Sequence, residues 1–308
     1  MEYREKININ QGWESVLSGD GGQDLGTPEA GWDWQKVTVP HNWEDYQGYH
    51  RVSHGNLHGT AWYRRSLAFH EEWKGKRVFL FFEGVGSYGD VWVNQQYVGG
   101  HAGGRTCFGL DITRSLVQDR ENIILVRARH PEKIADLPWI CGGCYGTPNS
   151  EGSQPLGIFR PVHIVVTGDV RVKPFGVGIT TAGLTGGCPD VHIECELQNH
   201  GKESMAGRLR QELLDPAGYV IRTEESGFQV EGGGECCMVQ EIRRVEDARL
   251  WYPDAPVLYR IRTTVLVQGE ILDQVENSFG FREIVWENFD TGSLERIDQG
   301  KLAEEPCE

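Results

Sequence analysis

Two long segments of the sequence concentrate side chains that could bind a polar, ring-shaped ligand. The segment 45–60 contains three histidines, two tyrosines, an arginine and an asparagine, and the segment 137–155 adds aromatic, amide and carboxylate groups. Planar hydrogen-bonding groups beside an aromatic face suit a carbohydrate, because its hydroxyls and its apolar ring face can both be matched. The candidate contacts are Tyr46, His50, Arg51, His54, Asn56 and His58 in the first segment, and Trp139, Tyr145, Asn149, Glu151 and Gln154 in the second.

The length of both segments favours a binding role. Connections longer than about 12–15 residues are usually functional or disordered. Simple solvated connections are the alternative interpretation of the same pattern.

Cys141 and Cys144 have the C-x-x-C spacing that is typical of metal ligands. A structural zinc site takes four ligands, and a second such pair is missing from the sequence. A redox pair would need a βαβ context, which the strand-rich pattern does not provide. A zinc site, a disulfide or redox pair, and reduced inert thiols all stay open for this pair, with inert thiols favoured. For the 8 cysteines as a whole, reduced and mostly buried thiols are expected. No cofactor and no bound metal are expected.

The charge balance excludes some partners. The formal net charge is −15, and Lys and Arg form no basic stripe, so a nucleic acid is not expected as a partner. No run approaches 18 apolar residues, so no membrane span is expected. The start of the sequence has no apolar signal segment, which predicts a cytoplasmic protein.

Strand-like alternation dominates the sequence, and helical periodicity is nearly absent. Aromatic and β-branched residues recur in short runs bounded by glycine and aspartate, which is the signature of strands. Only Asp111–Leu116 resembles a helical turn. Strands are predicted at 62–69, 77–83, 90–94, 122–129 and 158–166, and then at 170–181, 190–199, 207–215, 219–224, 235–243, 257–267, 271–277 and 281–286.

These runs predict an all-β protein of two sandwiches. A chain of 308 residues suits about two domains. The composition changes near Gly168, and the evenly spaced strands that follow favour an immunoglobulin-like sandwich. The predicted organisation is a first sandwich at 1–168, an immunoglobulin-like sandwich at 169–286, and a polar tail or linker at 287–308.

A series of short motifs occurs in order between about residues 10 and 286. The motifs are Val39-Pro40-His41-Asn42-Trp43, Ala61-Trp62-Tyr63-Arg64-Arg65, Phe82-Glu83-Gly84-Val85, Val91-Trp92-Val93-Asn94, Gly157-Ile158-Phe159-Arg160, Leu250-Trp251-Tyr252-Pro253, Leu258-Tyr259 and Phe279-Gly280-Phe281-Arg282. In this order they resemble glycoside hydrolase family 2, which includes β-galactosidases, β-glucuronidases and β-mannosidases.

The resemblance implies a specific fold and a specific role for the loops. In the family, a jelly-roll (galactose-binding-like) sugar-binding sandwich is followed by an immunoglobulin-like sandwich, and both pack beside a (β/α)₈ barrel. The loops before the Trp-Tyr-Arg strand and before Gly-Ile-Phe-Arg reach toward the active-site mouth, which places 45–60 and 137–155 there. Trp43, Trp62, Trp92 and Trp251 are expected to fill cores, since large aromatics mostly serve burial.

The catalytic machinery of that family is not expected in this chain. Retaining glycosidases use two carboxylates about 5–5.5 Å apart, which family 2 carries on its barrel. A barrel needs about 250 residues, whereas 22 residues follow Trp286, and no Asn-Glu pair of the family's acid/base type occurs. No catalytic residue is therefore assigned, and the chain alone is expected to be inactive.

The function expected from the resemblance is a non-catalytic N-terminal region that shapes a glycan-binding site. Its expected partners are a carbohydrate and a (β/α)₈ barrel domain or subunit. A free-standing carbohydrate-binding protein is the alternative. An independent enzyme that uses the histidine-rich segment ranks last, because no base–nucleophile constellation is recognisable.

Overall fold

The structure is a computed structural model, which describes residues 3–18, 31–43, 59–104, 106–130 and 156–283. These residues form an all-β fold, as predicted, with three short 3₁₀ turns: η1 (Glu71–Trp73), η2 (Thr113–Ser115) and η3 (Leu184–Gly186). They divide into two compact units. The N-terminal unit runs from Glu5 to Val166, and the C-terminal unit runs onward from Thr167 and includes Arg4. The predicted tail at 287–308 lies outside the described residues, and the predicted domain boundaries stay predictions.

The N-terminal unit is built from two sheets. One has six strands in the order β3-β2-β4-β9-β6-β7, and the other has four strands in the order β1-β10-β5-β8. The strands are β1 (Glu5–Asn8), β2 (Trp13–Leu17), β3 (Gln35–Val37), β4 (Gly59–Leu67), β5 (Arg77–Phe82), β6 (Tyr88–Val93), β7 (Gln96–Ala102), β8 (Phe108–Asp111), β9 (Asn122–His130) and β10 (Val162–Thr167).

Alternation along the strands places the core of this unit between its two sheets. In β9, Ile124, Val126 and Ala128 are fully buried while the residues between them face outward. Successive side chains of a strand point to opposite faces, so one face of β9 is apolar and the other is not. The buried set joins with residues of the four-stranded sheet, such as Leu80 and Ile164, into one cluster.

The C-terminal unit is a second two-sheet sandwich, as the immunoglobulin-like prediction requires. Three strands in the order β11-β12-β15 face four strands in the order β14-β13-β16-β17, and two apolar clusters draw residues from both sheets. The strands are β11 (Val170–Ala182), β12 (Asp190–Asn199), β13 (Met205–Leu214), β14 (Val220–Val230), β15 (Glu235–Ile242), β16 (Tyr259–Val267) and β17 (Glu270–Phe279).

Two hairpins are fixed by two-residue turns that need a positive φ. Asn94 and Gln95, between β6 and β7, have φ of 51° and 67°, and Gln268 and Gly269, between β16 and β17, have φ of 53° and 85°. Such turns match the twist of the strands they join. Because a two-residue turn sets the pairing of both strands, it also sets which side chains face the core.

Three expectations need correction. Phe281 does not begin a last strand: β17 ends at Phe279, and Phe281 instead forms an isolated parallel bridge with Leu250. Gly280 packs so tightly that an added Cβ would lie 2.6 Å from the Cβ of Trp251. Trp92 is not a core residue, because Val91 and Val93 take the core-facing positions of β6 and Trp92 points the other way.

The third correction concerns the cysteines. Cys107, Cys195, Cys236 and Cys237 are free, and burial raises the pKa of the Cys195 thiol to about 12. Cys188 takes part in a disulfide bond, so the expectation of reduced thiols fails at this position. Cys141 and Cys144 lie outside the described residues, and their state stays open.

Candidate functional site

The flanks of the two candidate segments come together at one end of the six-stranded sheet. Gly59, at the end of the first segment, pairs with His130, which precedes the second. The amide of Trp43, before the first segment, donates to the carbonyl of Leu156, after the second, at 3.3 Å. Trp43 also contacts Gly59, where an added Cβ would lie 3.9 Å from the indole ring. We call these four residues the loop-anchor end.

Other strands of the six-stranded sheet begin or end beside the loop-anchor end. The amide of Ser18, at the end of β2, donates to the carbonyl of Thr60 at 2.8 Å. The amide of Ser87, just before β6, donates to the carbonyl of Arg129 at 2.8 Å, and the carbonyl of Ser87 accepts from Gly103 at 3.0 Å. The loop-anchor end is therefore held by backbone hydrogen bonds that bridge several strands.

A buried polar layer lies directly beneath the loop-anchor end. The Tyr63 hydroxyl lies 2.9 Å from Nδ1 of His41, and the Ser87 hydroxyl lies 2.7 Å from Nδ1 of His130. Burial raises the pKa of Tyr63 above its ordinary value, so this phenol stays protonated. Ser87 and His130 are 2% and 1% exposed, so this buried pair joins the start of β6 to the end of β9.

Gly157 is the tightest point of this layer. It forms an isolated antiparallel bridge with Gly86, and its φ of 91° favours glycine. An added Cβ at Gly157 would meet the hydroxyl of Tyr63 at 2.1 Å. Since nothing larger than glycine fits, the backbone at Gly157 is held in one position.

The predicted contact residues themselves lie outside the described residues. The structure therefore brings their flanks together, while their own positions stay predictions. These residues are Tyr46, His50, Arg51, His54, Asn56, His58, Trp139, Tyr145, Asn149, Glu151 and Gln154.

The outer face of the six-stranded sheet carries aromatic rings stacked with an arginine. We call Trp62, Trp92, Arg127, Asp90 and Tyr97 the aromatic–arginine face. The rings of Trp62 and Trp92 are 5.4 Å apart, and the Arg127 guanidinium lies 5.7 Å and 5.6 Å from their centroids. Asp90 accepts from Nε and Nη2 of Arg127 at 3.2 Å and 3.0 Å. A cation is attracted to the face of an aromatic ring, so these contacts hold the surface together.

Sequence reasoning missed this face, although the signal was available. Trp92 stands between Val91 and Val93, and neighbours in a strand point to opposite faces. Once the two valines are assigned to the core, Trp92 must lie outside. Tyr97 pairs with Trp92 across the hairpin, and the two ring centroids are 5.4 Å apart with the planes tilted by 59°. Tyr97 is 55% exposed, so it presents an open ring.

Neither a metal cluster nor a membrane helix occurs among the residues that the structure describes. No three His, Cys, Asp or Glu side chains gather as ligands there. No helix in the same ranges is long and apolar enough to cross a membrane.

Family models match both units of the chain. The model of the glycosyl hydrolases family 2 sugar binding domain matches residues 3–166, and a second model of glycosyl hydrolases family 2 matches residues 180–282. The chain belongs to glycosyl hydrolase family 2. The N-terminal unit, with its loop-anchor end, is thus the family's sugar-binding domain, and the expected resemblance is confirmed.

Known family 2 proteins are similar over nearly the whole chain. A β-glucuronidase of Formosa agariphila is 26% identical over 97% of the chain, and a β-galactosidase of Thermoanaerobacter pseudethanolicus is 29% identical over 82%. The crystal structure of a Bacteroides uniformis β-glucuronidase matches 92% of the chain with a TM-score of 0.77 at 24% identity, which supports the fold. The chain spans about a third of each of these proteins, namely 32%, 32% and 33%.

Proposed function

We propose that this chain is the sugar-recognising N-terminal part of a family 2 glycosidase. In this proposal, the segments 45–60 and 137–155 contact the glycan, and a (β/α)₈ barrel domain or subunit supplies the carboxylate pair that cleaves the glycosidic bond. The observation that carries the proposal is the loop-anchor end, where Gly59 pairs with His130 and Trp43 bonds to Leu156. Two segments that leave and return at one place can act on one ligand.

The proposed ligand is a β-linked galactoside or glucuronide. This choice of ligand rests on the similar proteins, which are named β-galactosidases and β-glucuronidases. The side-chain types of the two segments fit either sugar, since Trp139 and Tyr145 offer ring faces and Asn149 and Gln154 offer planar amides.

The second candidate function is a free-standing carbohydrate-binding protein. The open ring of Tyr97 on the aromatic–arginine face favours it, because an exposed aromatic on a flat sheet can stack on a sugar without any barrel. The two functions differ in the ligand contact: the first uses the two loop segments, and the second uses Tyr97.

Titration of the 308-residue chain with methyl β-galactoside and methyl β-glucuronide, followed by NMR, tests both functions. Under the first function, Trp139→Ala and Tyr145→Ala weaken binding while Tyr97→Ala does not. Tyr219→Ala is the matched control, because Tyr219 is a 73% exposed aromatic of the C-terminal unit. Equal binding by the loop variants and the control would overturn the first function, and an effect confined to Tyr97→Ala would establish the second.

Turnover assays on the same chain test whether it hydrolyses glycosides without a barrel. Nitrophenyl β-galactoside and β-glucuronide should not be hydrolysed by the chain alone above the buffer rate. Hydrolysis that is lost on substitution of His50, His54 or His58 would instead mean an independent enzyme, and would contradict the proposal that the carboxylate pair lies on a barrel.

A further inference from the structure

The strand β7 forms one edge of the six-stranded sheet and is paired on one side only. Its partner is β6, in a register that runs from Val91 opposite Gly99 to Tyr88 opposite Ala102. Within the described part of the chain, no other strand and no backbone hydrogen bond meets its outer side. Alternate residues of an edge strand direct their N–H and C=O groups away from the sheet, so those of β7 are open to pairing.

The composition of β7 sets it apart from the other edge strands of the described sheets. Residues 96–102 contain no Asp, Glu, Lys, Arg or Pro, and burial lowers the pKa of His101, so the strand is uncharged near neutral pH. Charged side chains and proline on an edge strand oppose its pairing with another chain. The other described edge strands each carry such a residue, namely Lys6 in β1, Lys36 in β3, Asp111 in β8, Lys173 in β11, Glu225 in β14, Glu241 in β15 and Glu276 in β17.

Two glycines and a tyrosine shape the surface of this edge. Gly99 and Gly100 add no side chains, and glycine inside a strand often marks the close approach of another backbone. The Tyr97 side chain lies against Gly100, where an added Cβ would be 3.0 Å from its hydroxyl, and it is 55% exposed. An exposed aromatic ring beside an open edge can pack against a partner.

A second copy of the chain matches this edge. Two identical strands that pair antiparallel about a two-fold axis are self-complementary, because each copy supplies the groups that the other requires. The net charge of −15 makes copies repel one another. An edge strand without charged side chains is therefore a place where two copies can approach at low electrostatic cost.

We propose that two copies of the chain associate through β7, with residues 99–102 of the copies antiparallel across a two-fold axis and Tyr97 of each copy packed beside the junction. The two six-stranded sheets then form one continuous sheet. The inference goes beyond the proposed function, because it uses neither of the segments 45–60 and 137–155. It competes with the free-standing binding function, since a dimer that covers Tyr97 leaves no open ring for a sugar.

Sedimentation velocity of the 308-residue chain tests the association. The regular stretch of β7 is short, so the interface is small, and dimers should form with a Kd on the order of 10–100 µM. Raising the ionic strength from roughly 0.01 M to 0.15 M should favour the dimer, because salt screens the repulsion between the copies. A chain that stays monomeric up to about 300 µM at the higher ionic strength would overturn the proposal.

Variants locate the interface. Ala102→Lys places a lysine of each copy at the exposed end of β7 and should weaken the dimer at least about tenfold. Val239→Lys is the matched control, because it adds the same charge at a 55% exposed position of β15 and should leave the dimer unchanged. Tyr97→Ala should weaken the dimer about threefold and is the second test should Ala102→Lys fail to fold. A dimer that neither β7 variant weakens would overturn the proposal.

Amide hydrogen exchange separates a second copy from another occupant of the edge. The proposal predicts that protection of β7 rises with the concentration of the chain, while protection of the edge strand β3 does not. Full protection of β7 in a dilute, monomeric sample would mean that another part of the same chain covers this edge, and would contradict the proposal.

Discussion

The two units of the chain use their charged side chains in different ways. In the C-terminal unit, Glu225 accepts hydrogen bonds from Arg208 and Arg210 at 2.6 Å and 2.9 Å. Glu276 accepts hydrogen bonds from Arg260 and Arg262 at 2.9 Å and 2.8 Å. Both sets follow one rule of the antiparallel sheet: the glutamate lies directly opposite one arginine and diagonal to another two residues away. Each glutamate thus binds two arginines on its strand face.

The N-terminal unit instead combines its charged side chains with aromatic rings. Arg127 pairs with Asp90 and lies over the indole rings of Trp62 and Trp92. Arg64 pairs with Glu14 and lies over the ring of Trp34. The comparison shows two ways of holding an arginine on a sheet face: two arginines can share one glutamate, or one arginine can lie between a carboxylate and aromatic rings.

The largest expected effect comes from the buried ion pair of the C-terminal unit. Arg4 donates to both carboxylate oxygens of Asp273, at 2.8 Å and 2.5 Å, and Asp273 is fully buried. Arg4→Gln leaves a buried carboxylate without its counter-charge, so the free energy of unfolding should fall by about 3–5 kcal/mol. Urea unfolding monitored by amide hydrogen exchange in β16 and β17 measures this loss.

The matched control for that variant is Arg208→Gln, which breaks an exposed pair in the same unit. Exposed pairs contribute little, so no resolved change is expected. Equal losses in the two variants would contradict the view that surface pairs in this unit merely neutralise charge.

Gly157→Ala should be the most damaging small substitution in the N-terminal unit. The new Cβ collides with the Tyr63 hydroxyl, and φ at this position is 91°, so a loss of about 3 kcal/mol is expected. Tryptophan fluorescence during unfolding reports on this unit, where Trp13 and Trp62 are buried. Gly186→Ala is the control, since an added Cβ there has no atom within 4 Å. Unchanged stability in Gly157→Ala would show that the loop-anchor end is not rigidly packed.

Arg127→Ala should cost about 1–2 kcal/mol and expose Trp62 to solvent. The substitution removes the stacking on two rings and the pair with Asp90. A double-mutant cycle with Asp90→Ala, read by chemical denaturation, separates the ion pair from the stacking. If Arg127→Ala were as neutral as Arg208→Gln, the contrast between the two units would be lost.

The smallest effect is a difference in pH response. Burial lowers the pKa of His163 and of His101 from the ordinary value of 6.5, so the unfolded N-terminal unit binds more protons than the folded one below about pH 6.5. Its stability should therefore decline as the pH falls from 7 toward 5. His163→Asn should reduce this decline.

The C-terminal unit should lose stability only at lower pH. Hydrogen bonds from arginine side chains lower the pKa of Glu225 and Glu241 below their ordinary value of 4.5. The stabilisation from such carboxylates is present above pH 4.5 and is lost as the pH falls through the lowered pKa. Unit-resolved hydrogen exchange between about pH 7 and pH 3 measures both responses, and a simultaneous decline of the two units would contradict the assignment.

Much of the fold could be predicted because strand alternation is a local signal. The strands β4, β5, β6 and β9 to β17 follow runs that are visible in the sequence, and η2 falls within the predicted turn at 111–116. Edge strands such as short β3 and glycine-rich β7 were not predicted, because their residues are mostly exposed or half-buried and show little apolar alternation. Pairing across the chain, such as Gly86 with Gly157, has no local signature at all.

The candidate site was predictable only in part. Segment length and composition pointed to 45–60 and 137–155, yet the meeting of Trp43 with Leu156 depends on how distant strands pair.

The most direct test of recognition by the N-terminal unit is amide hydrogen exchange of the whole chain with and without a saturating β-glycoside. The account predicts increased protection at Thr60, His130 and Leu156, with the strands β11 to β17 unchanged. Protection confined to the C-terminal unit, or none with either the galactoside or the glucuronide, would contradict it.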